Sequence, residues 1–348
     1  MISEFPKPAR LPKPVKITEQ VWPHGTMPVV SIFSWAYNHV DFIEESIESI
    51  LMQETTFPVE IVIHDDASTD RTTEIIREYE AKYPQLFRNI IQTENQWSQG
   101  KSVMDPMFTA PRGEFIALTH GDDYWTSPHK LQKQVDQMTA DEDLVLVGHY
   151  TGIVDESGIP TGEPAIPSIP WPKRIDLVEY LRTKYFGFQL SSWCFRSSAL
   201  RGTEWTHGLA IGDVPLMMHL GSKGDIGFLP EQMSSYRRHG TSYWASNPGS
   251  WQARTNVEVY AAAAAHFRGL PRRLAQGLAC NARFQLAQAL YAEGKSVQAL
   301  RELAKLCACR GVWRSGETAA PSLRTVLRRM KQMMLGAYGT AGKLLHAR

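Results

Sequence analysis

The chain has 348 residues, 43% hydrophobic and 21% charged, with a net charge of +1, which is ordinary for a globular protein long enough for one large and one smaller domain. No apolar run approaches the roughly 20 residues of a membrane span, and the Pro-Lys rhythm of Met1 to Lys16 lacks the apolar stretch of a secretory signal. Cys194, Cys280, Cys307 and Cys309 are too few for a disulfide framework, and Cys307-x-Cys309 has no second pair to enclose zinc, so cytosolic, buried thiols are expected.

The charge is uneven. Residues 301–348 hold ten Lys and Arg against two Glu, a local +8, and residues 1–300 sum to −7. An acidic body with a basic tail argues against nucleic acid as a partner, because a binding domain carries its basic face in the fold itself. The same tail could meet an anionic membrane.

Residues 1–27, with Pro6, Pro8, Pro12, Pro14 and Pro23, read as an extended arm. From Pro28 strands and helices alternate. Val29–Phe33 is an apolar strand, and Asp41–Leu51 places Ile43, Ile47, Ile50 and Leu51 on one helical face. Strand Val59–Ile63 leads to a helix over Thr72–Tyr83, with Asp70 as its expected N-cap and Pro84 beyond its end. Phe87–Ile91 is a third strand, Met104, Met107 and Phe108 mark a short helix, and Phe115–Thr119 is a fourth strand. Pro128 opens a helix carrying Leu131, Val135 and Met138, and Leu144–Val147 is a fifth strand. Short apolar strands between helices imply a mostly parallel sheet covered on both faces.

Residues 159–172, with five prolines, read as a loop that could form a flap. A helix near Ile175–Thr183 and a strand near Phe188–Phe195 follow. Gly212-Asp213-Val214-Pro215 starts a helix with Asp213 at or near its N-cap, and Ile226–Leu229 and Met233–Arg237 read as two strands. Beyond Trp251 the chain turns helical, over Ala261–Ala265, Asn281–Tyr291 and Val297–Leu306, without a repeat at fixed period. The last helix sets Leu323, Val326, Leu327, Met330 and Met334 on one face and Arg324, Arg328 and Lys331 on another. That pattern suits an interfacial helix, or one docked on its own domain.

Two acidic clusters follow strands. One is His64-Asp65-Asp66-Ala67-Ser68-Thr69-Asp70 and the other is Gly121-Asp122-Asp123-Tyr124-Trp125. Carboxylates at the C-terminal edge of a parallel sheet lie where open α/β folds bind ligands. Adjacent ionised Asp residues repel, and a divalent metal carrying a diphosphate is a natural counter-charge. No G-x-G-x-x-G follows the first strand and no G-x-x-x-x-G-K-[ST] occurs, so a bound nucleotide would be held by carboxylates and metal. From the residues alone, Asp66 could instead cap a helix, and Asp122-Asp123 could be a solvated turn. Asp213 could be a plain N-cap, and Lys101, after strand three, merely exposed. Trp193, Trp205, Tyr243 and Trp244 could stack on sugars or fill the core.

Taken together in order, Val30-Ser31-Ile32-Phe33…Tyr37-Asn38, Asp65-Asp66-Ala67-Ser68-Thr69-Asp70 and Gly113-Glu114-Phe115-Ile116-Ala117-Leu118…Asp122-Asp123 resemble family 2 glycosyltransferases of the GT-A fold, over residues 28–245. The resemblance implies a Rossmann-like, mostly parallel sheet flanked by helices, with residues 246–348 as a C-terminal helical extension. It implies that Ala36 and Tyr37 line the nucleotide base and that Asp66 bonds its imide. Asp122 would lie beside the ribose and sugar, and Asp123 would ligate Mn²⁺ or Mg²⁺ on the diphosphate. Asp213 would be the general base, and His239, in Tyr236-Arg237-Arg238-His239, would reach the metal or diphosphate. Lys101 is a further candidate for the phosphate. Trp35 departs from the small or hydroxylated residue of many relatives, and Asp122-Asp123 stands where D-x-D is common.

The implied reaction is inverting transfer of a sugar from a nucleotide diphosphate to an acceptor hydroxyl in cell-surface polysaccharide or lipid-linked glycan assembly. It would take place in the cytoplasm, with residues 321–348 as a peripheral membrane contact. Transfer to a polyprenyl phosphate, which needs no base, and a non-catalytic sugar-nucleotide-binding scaffold are the alternatives.

Overall fold

The computed structural model describes residues 10–164, 172–183, 189–240, 247–307 and 324–333. They fall in two compact units. The first is drawn from Met1–Leu177, Tyr185–Thr203 and His219–His239, and the second from Val178–Lys184, Glu204–Met218 and Gly240–Arg348. The second therefore takes in two short stretches upstream of residue 246 as well as the C-terminal region.

The first unit opens with β1 (Val15–Lys16), β2 (Val30–Ala36), α1 (Ile43–Leu51), β3 (Glu54–Thr55), β4 (Val59–Asp65), α2 (Thr72–Lys82) and β5 (Ile90–Ile91). Next come α3 (Asp105–Thr109), β6 (Phe115–His120), β7 (Tyr124–Trp125), α4 (Lys130–Ala140), β8 (Leu144–Val154), β9 (Pro160–Pro164) and β10 (Arg174–Ile175). α5 (Leu177–Thr183) and α6 (Asp213–Gly221) fall mostly in the second unit, and β11 (Cys194–Arg196) and the long β12 (Asp225–Arg237) complete the sheet of the first.

Among the described residues the main sheet has ten strands in the order β10-β12-β8-β11-β6-β2-β4-β5, with β7 paired to β12 and β9 to β8. β2 runs parallel to β4 and β6, β4 to β5, and β12 to β8. β11 is antiparallel to both its neighbours, so the sheet is mixed rather than purely parallel. All seven residues of β2 and all seven of β4 are buried, which explains why these strands read as apolar runs without alternation. α1 lays Ile43, Ile47, Ile50 and Leu51 on the sheet, and α4 contributes Leu131, Val135 and Met138, all nearly inaccessible. Each such side chain stabilises the fold by about 1.5–3 kcal/mol through burial.

Several expectations need correction. Of the arm expected over 1–27, residues 10–27 are packed on the fold: β1 pairs with β3, Ile17 is fully buried, and Gln20 Nε2 donates to Thr55 O at 2.7 Å. Only Ile90–Ile91 of the expected third strand is a strand, because the Asn89 side chain takes the Ile63 amide at 3.2 Å. The proline-rich loop contains β9, returned onto β8 by a turn at Gly158 (φ +80°) in which Asp155 Oδ1 accepts from Ser157 N and Ile159 N. Of the expected flap over 159–172, residues 165–171 lie outside the described residues.

Leu190–Ser192 is a 3₁₀ turn, and only Cys194–Arg196 of the stretch after it is extended. The two expected strands at 226–237 are one, bent by register shifts around Leu229 to Ser234 where Pro230 has no amide to give. Helix α2 is capped at Arg71, with Asp70 one residue earlier, and α4 begins two residues after Pro128.

The second unit contains α7 (Gly249–His266), α8 (Gly269–Ala292), α9 (Ser296–Cys307) and a helix over 324–333. Ala-rich α7 lies along α8, and Ser250 N and Oγ donate to Glu293. In the last helix Val326 and Met333 are fully buried, and Met330 Sδ is 3.8 Å from Cys307 Sγ. Part of its apolar face is thus docked on its own unit, while Leu327 is 51% exposed. Leu323 and Met334 lie outside the described residues. No described helix is long and apolar enough to cross a membrane.

Candidate active site

The register of the parallel strands aligns three strand ends. Ala36 faces Asp65, and Trp35 faces both His64 and His120. The segments after these strands, 37–39, 66–70 and 121–123, therefore lie together at the C-terminal edge of the sheet. Two glycines permit this closeness. A Cβ on Gly113, which precedes β6, would come 2.5 Å from Ser31 N, and one on Gly121 would come 2.8 Å from His39 Nδ1.

Asp65, at the end of β4, is fully buried and accepts hydrogen bonds from Ser68 and Thr73, a structural use. Asp66 is 4% exposed and accepts from Gln96 N at 2.7 Å and Trp97 N at 3.1 Å, so it ties the 95–97 loop to the sheet edge. Its own amide donates to Ala36 O. Asp70 accepts from Thr72 N and Val40 N; burial opposes its ionisation, but these bonds outweigh it and hold its pKa below the ordinary carboxylate value. Asn38 and Ala67 adopt left-handed φ of 54° and 59°, and Asn38 Oδ1 accepts from Thr69 N, locking the two loops together. Tyr37 and Trp97 leave this frame with 44% and 41% of their surface exposed.

The second acidic cluster is more enclosed. Asp122 Oδ2 lies 3.0 Å from His239 Nε2 and 3.7 Å from His39 Nε2. Burial opposes its charge, yet the His239 hydrogen bond and the fields of His39, His120 and His239 prevail, so its pKa sits well below the usual carboxylate range. Asp123 is 2% exposed and accepts from Arg237 N at 3.1 Å. Burial, and then the charge of Asp122, push its pKa well above the usual value. Asp122 is thus favoured in its ionised form, while the amide and the charge of Arg237 only partly offset the burial of Asp123.

His120 completes the group. Its ring, Asp122 and Asp123 each offer a ligand atom, all within 4.8 Å of one another. Two carboxylates and an imidazole suit a hard or borderline divalent ion such as Mn²⁺ or Mg²⁺, so the donor set fits the ion that the sequence implied.

Arg237 ties this cluster down. It is 3% exposed; its Nε donates to Asp122 O at 3.1 Å, Nη1 donates to Glu156 O at 2.8 Å, and Nη2 pairs with Glu45 of α1. The guanidinium also stacks over Phe42 and Tyr124, 4.9 and 5.4 Å from the ring centres.

The structure thus brings Ala36, Tyr37 and Asp66 to one part of the edge, and Asp122, Asp123 and His239 to another. His239 is set against Asp122 and is not one of the three clustered ligand groups. Lys101 is exposed, its amide bonded to Gln96 O. Trp35 is pinned by its Nε1 to Val103 O at 2.8 Å and lies against His120 with ring centres 5.3 Å apart.

Asp213 is the first residue of α6, one position inside the cap, and belongs to the second unit, where its charge adds to burial in raising Tyr180 and Tyr260. Trp193 is buried, and Trp205 stacks on His266 at 4.9 Å; Tyr243 and Trp244 lie outside the described residues. His39, His120, Glu45 and Arg237 were not singled out from the sequence. For His120 a signal was present: an imidazole closing a strand, directly before Gly121-Asp122-Asp123.

Comparison with known proteins gives this edge a context. The model of glycosyl transferase family 2 matches residues 31–201. A protein of Mycobacterium tuberculosis is 36% identical over 217 residues, 62% of this chain and 61% of its own length, so the chain spans about three fifths of that relative. The crystal structure of Staphylococcus aureus TarS 1–349 in complex with UDP-GlcNAc is similar at a TM-score of 0.58 and 15% identity, covering 80% of each chain. The mannosyltransferase PcManGT of Pyrobaculum calidifontis, in complex with GDP-Man and Mn²⁺, is similar at a TM-score of 0.54 and 19% identity, covering 92% of this chain and 81% of its own. These two likenesses speak for a common fold, and the matched sequence runs from β2 through the acid pair to β11. Residues 31–201 match glycosyl transferase family 2, and the chain has the GT-A fold.

Proposed function

We propose that this protein is a metal-dependent, inverting glycosyltransferase that moves a sugar from a nucleotide diphosphate to an acceptor hydroxyl. The observation that carries the reading is the enclosed acid pair: Asp122 Oδ2 lies 3.0 Å from His239 Nε2 and 3.7 Å from His39 Nε2, Asp123 beside it is buried, and His120 is close enough to share an ion with both. TarS and PcManGT, which share the fold, were solved with UDP-GlcNAc and with GDP-Man and Mn²⁺, and this supports a sugar nucleotide as the donor.

In this reading Tyr37, Ala36 and the Asp66-anchored loop with Trp97 receive the nucleotide base. Asp123, Asp122 and His120 hold Mn²⁺ or Mg²⁺, which when bound would offset the charge that grows on a departing diphosphate. His239, expected at the metal or diphosphate, orients Asp122 from its other side. Asp122, ionised and partly dry, stabilises positive charge at the sugar carbon. Asp213 takes the acceptor proton, a role that rests on the sequence resemblance, and Lys101 is available to phosphate. Attack opposite the leaving group inverts the anomeric centre.

The acceptor class, cell-surface polysaccharide or lipid-linked glycan, follows from the family analogy, as does a cytoplasmic setting with residues 321–348 at the membrane. Thermal unfolding with a panel of sugar nucleotides tests the reading: one of them should raise the melting temperature only when Mn²⁺ is present. No Mn²⁺-dependent shift with any donor would refute it. For the tail, truncation before residue 321 should abolish flotation with liposomes, and undiminished flotation would remove that part.

A further inference from the structure

Outside the acidic edge, the second unit carries a charge pattern that sugar transfer does not use. Residues 240–348 contain sixteen Lys and Arg and four Asp and Glu, a net +12, so residues 1–239 carry −11. Three of these cations line one cleft of about 280 Å³ between α7, α8 and α9, whose walls are Arg254, Leu290, Gln298, Arg301, Glu302 and Lys305. Glu302 is 8% exposed and already committed: Lys305 Nζ donates to it at 2.6 Å, and Arg283 Nε lies 3.7 Å away. Arg254 and Arg301 are exposed and pair with no carboxylate among the described residues.

We propose that this cleft is a binding site for a phosphate-type oxyanion, formed wholly by the second unit. Two guanidiniums facing one concavity offer forked, bidentate donors that match phosphate oxygens better than they match a lone carboxylate. The buried Glu302 holds Lys305 on the wall, so a third cation is in place before the ligand arrives, and the four charges of the lining sum to +2. Gln298 adds a neutral amide, and the buried Leu290 gives an apolar floor. The volume suits a diphosphate or the phosphodiester of a lipid headgroup. The net positive charge of the lining raises the local concentration of anions over about a Debye length, ~10 Å at 0.1 M salt. The proposal does not depend on the transferase reading, because none of these residues belongs to the acidic edge.

The test titrates pyrophosphate into the full chain at low salt with a chelator present, which silences any metal-dependent donor site. The unmodified protein should bind, Arg254→Gln/Arg301→Gln should bind at least about tenfold more weakly, and Asp123→Ala should bind as well as the unmodified protein. Arg254→Lys/Arg301→Lys keeps the charge but loses the fork and should fall between. In a second arm, vesicles containing phosphatidylglycerol are floated with each protein. Loss of pyrophosphate binding in the double Gln variant with unchanged flotation assigns the site to a soluble phosphate. Loss of flotation in that variant, without pyrophosphate binding by the unmodified protein, assigns it to a lipid headgroup. Equal pyrophosphate affinity and equal flotation for the unmodified and double Gln proteins would overturn the proposal, as would a failure of the unmodified protein to bind either ligand. Both substitutions are at exposed positions, and an unchanged melting temperature confirms that the variant is folded.

Discussion

The two units solve opposite electrostatic problems. The first buries carboxylates at a sheet edge and must neutralise them from within, with His39, His120, His239 and Arg237. The second spreads cations over helices and leaves two guanidiniums facing a cleft without carboxylate partners among the described residues. Burial is the reason for the difference. A carboxylate taken out of water needs a partner or a metal, whereas an exposed guanidinium is content with solvent until a ligand displaces it. In a chain that is nearly neutral overall, residues 1–239 sum to −11 and residues 240–348 to +12.

Four tests would break or sharpen this contrast, from the largest effect down. If Asp213 of the second unit is the base, Asp213→Asn should lower kcat at least about a hundredfold with little change in donor affinity. A nearly unchanged kcat would favour an acceptor that arrives ionised. Ile61→Ala in β4 and Leu303→Ala in α9 remove fully buried side chains and should each cost about 2–5 kcal/mol by chemical denaturation. Hydrogen exchange should locate the loosening in the first unit for one and in the second for the other; a uniform effect would mean that the units unfold as one.

Lys130 supplies a third test. It is fully buried against the Trp125 ring at 4.1 Å, its Nζ donates to Gln134 Oε1, and burial pulls its pKa down to about 7. Below pH 7 the folded protein carries the full cost of this buried charge. Between pH 7 and about 10.4 the folded state has released the proton and the unfolded chain still binds it, so stability rises with pH. Lys130→Met should therefore stabilise by ~1–4 kcal/mol below pH 7, with the gain shrinking steadily toward pH 10. The smallest effect is expected for the exposed Lys133–Glu231 pair, where Glu231→Gln should cost less than about 1 kcal/mol.

The contrast also explains what could be read from the sequence. β2, β4 and β6 were visible because strands buried on both faces are plain apolar runs, and α1 and α4 because their apolar residues recur every three or four positions. Asp66, Asp122 and Asp123 were visible because acids directly after such runs fall at a sheet edge. Short elements were not, since β9 and β11 exist only through their partners, and an Asn89 side chain can end a strand that its neighbours favour. The partners of the acid pair were hidden for the same reason. His39 and Arg237 lie 83 and 115 residues from Asp122 in sequence, and only folding brings them to it. His120 is legible in the sequence as an imidazole that closes an apolar run directly before Gly121-Asp122-Asp123.

Calorimetric titration of Mn²⁺ and nucleotide sugar into the unmodified protein and into Asp123→Ala tests the central claim most directly. Retention of an imidazole-ringed Asp122 without its partner should leave Mn²⁺ uptake at least about tenfold weaker and abolish metal-dependent donor binding. Equal uptake of both ligands by the two proteins would contradict the account, because the acid pair would then be serving the fold and not the donor.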